Sequence, residues 1–554
     1  MKAILNHTWS VLEKDERKRF IVLSILDIVI SIIDILSLAL LLWIIKFYIQ
    51  PGENSLSFLP GWLADRQSVS FIAIFFVLFG VKNIAAFFIT KAQYNFIAGV
   101  AVRISGINLS NYQQGEFKDF VNIDSSVLIR KISLQPFEFC QFILSGIQQI
   151  ITQSFLIVLT ILAIILFNAK LFLLLLLVLL PPVILVFYII KKRLTHAKIQ
   201  IRTTNERSFQ HLLDALKGYV EANIYNRNQF FLGRFLKHRR TFSKYLFDSL
   251  ALQSMPNRII EIFAVLGLFV LIAIAKWSGN GDSAALITIG AFMAAAYKII
   301  PGIVKLINVA GQIRAYEYSV NDLIEKKETN SRAEENSRLS LRSIQLKNIS
   351  FRYNDLEVLK NFCLSLEKGD FVGITGESGK GKTTVFNILL GFLVPDDGEI
   401  FINEEKVAST VIKKYWPCIS YVRQQSFFIH DTALCNITFE EEEYNKTNLD
   451  TALEVSGANG MIEQFPEGLA KIITENGKNI SGGQQQRIAL ARAVYKDAGL
   501  ILLDEPFNEL DEYSSIALLK HFKELAARGK MIIMITHDKE SLSYCNKIVT
   551  LDED

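Results

Sequence analysis

Six stretches of this chain are apolar and long enough to cross a membrane, at about 20–49, 69–98, 137–167, 171–190, 256–276 and 283–312. A hydrocarbon core of ~30 Å takes about 20 helical residues. Inside it no water satisfies the backbone, so continuous apolar runs of this length must be helical. A hydrophobic fraction of 51% and a mean hydropathy of +0.29 are too high for a soluble protein of this size.

Charge in the loops sets the orientation. The segment joining spans one and two has Arg66 as its one basic residue, and 277–282 has none. Spans three and four are joined by a few residues around Asn168–Lys170, as an outer hairpin would be. The segment between spans four and five instead carries Lys191, Lys192, Arg193, Arg202, Arg207, Arg227, Arg234, Lys237, Arg239 and Arg240. Basic loops stay in the cytosol, which puts both long loops and both termini there. Apolar residues recur at helical spacing in the second loop, as at Leu212, Leu216 and Val220, so these loops are expected to be helices continuing beyond the bilayer. Residues 1–19 place Leu5, Trp9 and Leu12 at helical spacing beside Lys14, Arg17, Lys18 and Arg19, the pattern of an interfacial amphipathic helix. The apolar run that follows is too long for a secretory signal.

The second half reads differently. From about 343, β-type runs alternate with helical ones and carry ordered motifs: GESGKGKTT at Gly376–Thr384, Gln424, ISGGQ at Ile480–Gln484, LILLDE at Leu500–Glu505, and His537. The charged stretch from Glu325 to Arg338 reads as a linker. The expected organisation is an all-α, six-helix membrane domain over 1–325, a linker at 326–342 and an α/β P-loop NTPase domain over 343–554. A net charge of only +4 argues against a nucleic-acid partner, and five scattered cysteines against a disulfide or zinc framework.

Each motif has a chemical reason. Phe371–Thr375 is an apolar strand, the Gly376 loop follows it, and a helix begins near Lys382: strand, glycine loop, helix is the context of a phosphate-binding loop. Gly376, Glu377, Ser378, Gly379, Lys380, Gly381, Lys382, Thr383 and Thr384 would surround the phosphates of ATP with backbone N–H groups. Lys382 would reach the terminal phosphates, and the Thr383 hydroxyl would ligate Mg²⁺. Asp504 ends a buried strand as a second Mg²⁺ ligand, and Glu505 beside it is placed to act as general base. His537 ends another apolar strand and would sense the γ-phosphate. Gln424 would contact Mg²⁺ or the attacking water, with Gln425 as the alternative one residue on. Tyr353 would stack on adenine, against the rival reading of a core tyrosine.

Taken together, residues 343–554 resemble the nucleotide-binding domain of ABC transporters, most closely at ISGGQQQR, Ile480–Arg487. The resemblance implies that Ser481, Gly482, Gly483 and Gln484 contact ATP held by a second subunit, with Asp511 in the family's D-loop (NELD) and Glu475–Gly477 before the signature near the same interface. One P-loop and one signature per chain then require two chains, a homodimer being the economical solution and a heterodimer the alternative. Departures are modest: Ile480 for leucine, NELD for the common SALD, Arg423 where proline is frequent. The sequence ends soon after its last strand, so regulation through a longer tail is not expected.

Six spans ahead of one ATP domain resemble a type I exporter half-transporter, multi-pass in the bacterial inner (plasma) membrane. Coupling helices are expected near Gln114–Ile123 and Tyr219–Asn228. Asp27 and Asp34 share one face of the first span, Lys82 lies in the second and Lys298 in the sixth. Charges at that depth either pair, as Asp34 with Lys82 would, or face a polar cavity for a head group. The expected function is ATP-driven export or flipping of a lipid-linked, amphipathic or other substrate by alternating access. Peptide or drug export, or an ATP-gated channel, are the alternatives.

Overall fold

The computed structural model describes residues 2–49, 70–115, 123–167, 200–278, 299–320 and 340–551, apart from a few isolated positions within them, together with single positions such as Phe117 and Leu173 outside them. The span at 171–190 lies mostly outside the described residues, as do the first part of the sixth span, Lys298 and most of the linker. The chain divides into two compact units: residues 1–115 with 122–330, and residues 331–554 with 116–121.

The first unit is helical. The amphipathic α1 (Lys2–Val11) leads into α2 (Lys14–Ile49), and α3 (Ser70–Gln113) follows. A helical run then starts at Ser125 and passes through two π-helical turns, Arg130–Leu134 and Phe139–Leu144, into α4 (Ser145–Phe167). The short α5 (Tyr219–Ile224) precedes α6 (Asn228–Ser278). Among the described residues, three helices are long and apolar enough to cross a membrane: Lys14–Leu41, Phe71–Gln113 and Ser125–Leu166. The residues expected for the fifth span lie at the far end of α6, which continues through Pro256 without a break. At about 1.5 Å per residue, α3 and α6 are each longer than the ~30 Å of a bilayer core.

In α1, Ile4 and the following Leu12 are buried in one cluster with Ile97, Val100 and Ile104, and Thr8 is buried as well, whereas Leu5 and Trp9 are exposed. Both apolar sets have helical spacing, and only packing decides which faces the protein. Arg103 ties this region down: its guanidinium donates two 2.7 Å bonds to Glu16 and one of 3.2 Å to the Val11 carbonyl. Within the membrane-spanning helices Lys82 pairs with Asp34 and lies 4.3 Å from the Phe79 ring. Asp27 accepts a 2.8 Å bond from the Thr152 hydroxyl.

The second unit holds two main sheets. An antiparallel sheet has the order β2-β1-β4-β5, from β1 (Ser343–Tyr353), β2 (Leu356–Glu367), β4 (Asp397–Ile402) and β5 (Glu405–Val407). The parallel sheet has the order β11-β3-β10-β9-β6, from β3 (Phe371–Gly376), β6 (Ile419–Val422), β9 (Leu500–Asp504), β10 (Met531–Ile535) and β11 (Lys547–Leu551). A small pair, β7 (Asp431–Thr432) and β8 (Ile472–Ile473), completes the strands. β9 and β10 are buried at every position, as strands covered on both faces must be, which is why they read as unbroken apolar runs. Helices α7 (Lys382–Leu389), α8 (Ala433–Thr438), α9 (Lys446–Val455) and α10 (Gly482–Tyr495) pack in the two cores that cover this sheet. In this unit the ring of Phe117 stacks on Phe392 at 4.6 Å.

Candidate nucleotide site

Parallel strands present their carboxyl ends together, and here that edge carries the chemistry. Ile535 pairs with both Asp504 and Ile374, so β9, β10 and β3 finish level. The residues that follow them (Glu505, Thr536–His537 and the Gly376 loop) are therefore neighbours by construction.

The loop between β3 and α7 is shaped for a ligand close to backbone. Gly376, Gly379 and Gly381 have φ of 147°, 87° and 89°, conformations that side chains rarely tolerate. A Cβ on Gly381 would meet Val358 at 2.7 Å, whereas one on Gly379 would meet nothing within 4 Å. Glu377, Ser378 and Gly379 form an exposed rim. Lys382 is buried and its Nζ donates to the Gly376 and Glu377 carbonyls at 2.7 and 2.9 Å. Burial pulls its pKa down, while Glu505 and Asp504 act in the opposite sense. Thr384 is buried in the first turn of α7.

Asp504 is 5% exposed, and its Oδ2 lies 3.5 Å from the Thr383 hydroxyl and 3.4 Å from the Tyr421 hydroxyl. Burial raises its pKa first and the adjacent Glu505 charge second; Tyr421, Thr383 and Lys382 oppose them. A buried carboxylate beside a second acid and a threonine hydroxyl is a hard oxygen donor set, which fits Mg²⁺.

Glu505 is the most constrained residue of the site. Its φ is 50°, a left-handed conformation for a residue with a side chain. Its N–H donates to the Ile535 carbonyl at 3.0 Å, and its own carbonyl accepts from Gln486 at 3.3 Å. Its Oε2 accepts from Gln424 at 2.7 Å and from Asn508 at 2.8 Å, and its Oε1 lies 3.5 Å from His537 Nε2. Gln424 thus meets the general-base candidate directly. The sequence motifs did not single out Gln486 or Tyr421 as site residues, nor assign Asn508 a contact.

Ser481, Gly482, Gly483 and Gln484 form the first turn of α10. The Ser481 hydroxyl accepts from the Gln484 N–H and the Gln484 side chain accepts from the Ser481 N–H, a reciprocal cap. Their neighbours are in the loop after β9: Glu509 lies against Gly482 and Gly483, and Leu510 against Gly483. Asp511 caps α11 (Glu512–Ala527) through Ser514, whose hydroxyl and N–H hold its carboxyl below the usual range. Tyr353 ends β1 exposed, with its ring edge-on to Phe351 at 4.9 Å. Gln485 donates to the Gly477 carbonyl at 3.0 Å, joining the Glu475–Gly477 turn to α10. A cavity of about 690 Å³ in this unit is lined by Trp416, Tyr421, Phe439, Arg492 and Tyr495 among others.

A membrane-embedded helical region followed by a P-loop nucleotide-binding domain is the class these two units define. The chain belongs to the ABC transporters: residues 20–295 match the family model of the ABC transporter transmembrane region, and residues 359–508 that of the ABC transporter domain. It is 28% identical over 345 residues to an ATP-dependent lipid A-core flippase of Alkalilimnicola ehrlichii, covering 61% of this chain and 58% of that protein. Identity to the flippase of the same description from Neisseria meningitidis is 30% over 305 residues, covering 53% and 48%. The chain thus spans about half to three-fifths of the length of these curated relatives. A solved bacterial Atm1-family ABC exporter with ATP bound shares the fold, with a TM-score of 0.77 at 18% identity, covering 96% of this chain and 94% of that one. The protein is an integral membrane protein with an ATP-binding domain.

Proposed function

We propose that the protein hydrolyses ATP to move a lipid-linked or other amphipathic substrate from the cytosol or inner leaflet outward, as a homodimer in the bacterial inner membrane. The observation that carries this reading is the convergence of Lys382, Thr383, Gln424, Asp504, Glu505 and His537 at one sheet edge of a chain that also carries membrane-spanning helices. The flippase names of the relatives support the substrate class.

Mg²⁺ would be held by Thr383 and Asp504 and would offset phosphate charge. Loop N–H groups and Lys382 bind and orient the phosphates, and Tyr353 offers its exposed ring to adenine. Glu505, fixed by its backbone and by two amide donors, accepts the proton of the attacking water, while His537 faces its second oxygen. The signature turn Ser481–Gln484 presents N–H groups at a helix start and would close on the nucleotide of the second copy, with Asp511 nearby. Segments near Gln114–Ile123 and Tyr219–Asn228 would carry that closure to the spans.

The test is ATP turnover and labelled-lipid movement by the purified protein in liposomes. Wild type should show Mg²⁺-dependent turnover stimulated by the moved lipid. Glu505→Gln should keep nucleotide affinity and lose turnover by about 10²–10⁴-fold, the range of a general base. Full turnover in that variant would remove Glu505 from its role. ATP-driven dimer closure without any hydrolysis in wild type would favour a gated channel instead.

A further inference from the structure

We propose that Asn508 is a positioning residue for the Glu505 carboxylate, on the reading that Glu505 is the general base of ATP hydrolysis. The backbone of Glu505 is pinned by the Ile535 carbonyl and the Gln486 amide. A glutamate side chain has three torsions of its own, so a fixed backbone does not by itself aim the carboxylate. Two side-chain amides do. Gln424, just beyond β6, and Asn508, three residues along from Glu505, both donate to Oε2, at 2.7 and 2.8 Å. With Oε2 engaged twice, Oε1 is the oxygen left to take a proton, and it is the one turned toward His537 Nε2 at 3.5 Å.

The loop that carries Asn508 is itself braced. Leu510 N–H donates to the Phe507 carbonyl at 3.0 Å, and Glu509 and Leu510 lie against Gly482 and Gly483. Asn508 is exposed, and an exposed asparagine is ordinarily a solvated one. This one instead gives its amide to a carboxylate that can only accept. The neutral amide also orients Glu505 without adding a charge beside Asp504.

The experiment compares full-length wild type, Asn508→Ala, Glu505→Gln and the double variant in lipid nanodiscs. It reads kcat, KM and the affinity for a fluorescent ATP analogue. Asn508→Ala should lower kcat about tenfold, the order expected for one lost hydrogen bond to a charged group, with KM and analogue affinity within about twofold. In the Glu505→Gln background the same change should have no further effect, because a residue acting only through the carboxylate has nothing left to aim. An unchanged kcat overturns the proposal, as does an equal loss in both backgrounds or a fall in affinity that tracks kcat. A wild type that hydrolyses no ATP overturns the functional reading and the proposal with it, whereas the other failures leave that reading standing.

Discussion

The ion pair between Asp34 and Lys82 predicts an asymmetric charge-deletion series. The Lys82 side chain, on α3, is 8% exposed and that of Asp34, on α2, is 27%. Removing one partner of a buried pair costs about 3–5 kcal/mol, because the survivor keeps its desolvation penalty without its counter-charge. The better-buried lysine has less room to turn away than the aspartate. Asp34→Asn is therefore expected to cost about 4 kcal/mol and Lys82→Met about 3, within that range. The double variant should cost under about 1 kcal/mol, since replacing both charges removes both penalties. The exchange Asp34→Lys with Lys82→Asp should recover most of what either reversal loses. Unfolding of the purified protein by dodecyl sulfate in mixed micelles measures these differences. Additive single effects, or no recovery on exchange, would show that the two charges do not depend on each other and would remove the pair from the account of how the first two spans pack.

Further perturbations test other parts. Gly381→Ala should cost about 2–4 kcal/mol, combining a left-handed backbone with a Cβ driven into Val358, and should abolish ATP-analogue binding; normal binding would refute the glycine argument. Arg103→Ala should free α1, so that hydrogen exchange over residues 2–12 accelerates while the second unit is unaffected. Asp538 caps the helix that follows His537, and the Ser541 hydroxyl holds its carboxyl below the usual range. A depressed carboxyl contributes stability above its unfolded value near ~4, lost as pH falls through the folded value. Asp538→Ala should therefore cost about 1 kcal/mol at neutral pH and converge with wild type in acid; a pH-independent difference would count against the cap.

Much of the site was legible because its residues are read from local pattern. A strand, a glycine loop and a lysine at a helix start are contiguous, and an apolar run ending in Asp504 and Glu505 marks a central strand. Asn508 and Gln486 were not legible. Their roles depend on where a loop and a helix turn fall in space, and an asparagine or glutamine carries no periodic signal of its own. At α1 the spacing of Leu5, Trp9 and Leu12 marked an amphipathic helix, but that Leu12 joins Ile4 in a cluster with Ile97, Val100 and Ile104 while Leu5 and Trp9 stay exposed depends on tertiary packing.

By itself the sequence determined the membrane helices, since transfer into hydrocarbon depends on the length and composition of each segment, and it determined which residue types handle phosphate, since that chemistry is local. The tertiary structure decided which side chains meet. Lys82 was brought to Asp34, Gln424 and Asn508 to one oxygen of Glu505, and Thr383 to Asp504, because hydrogen bonds and ion pairs act over a few ångströms. Whether residues 48, 81 or 121 places apart come that close is settled by strand order and helix packing.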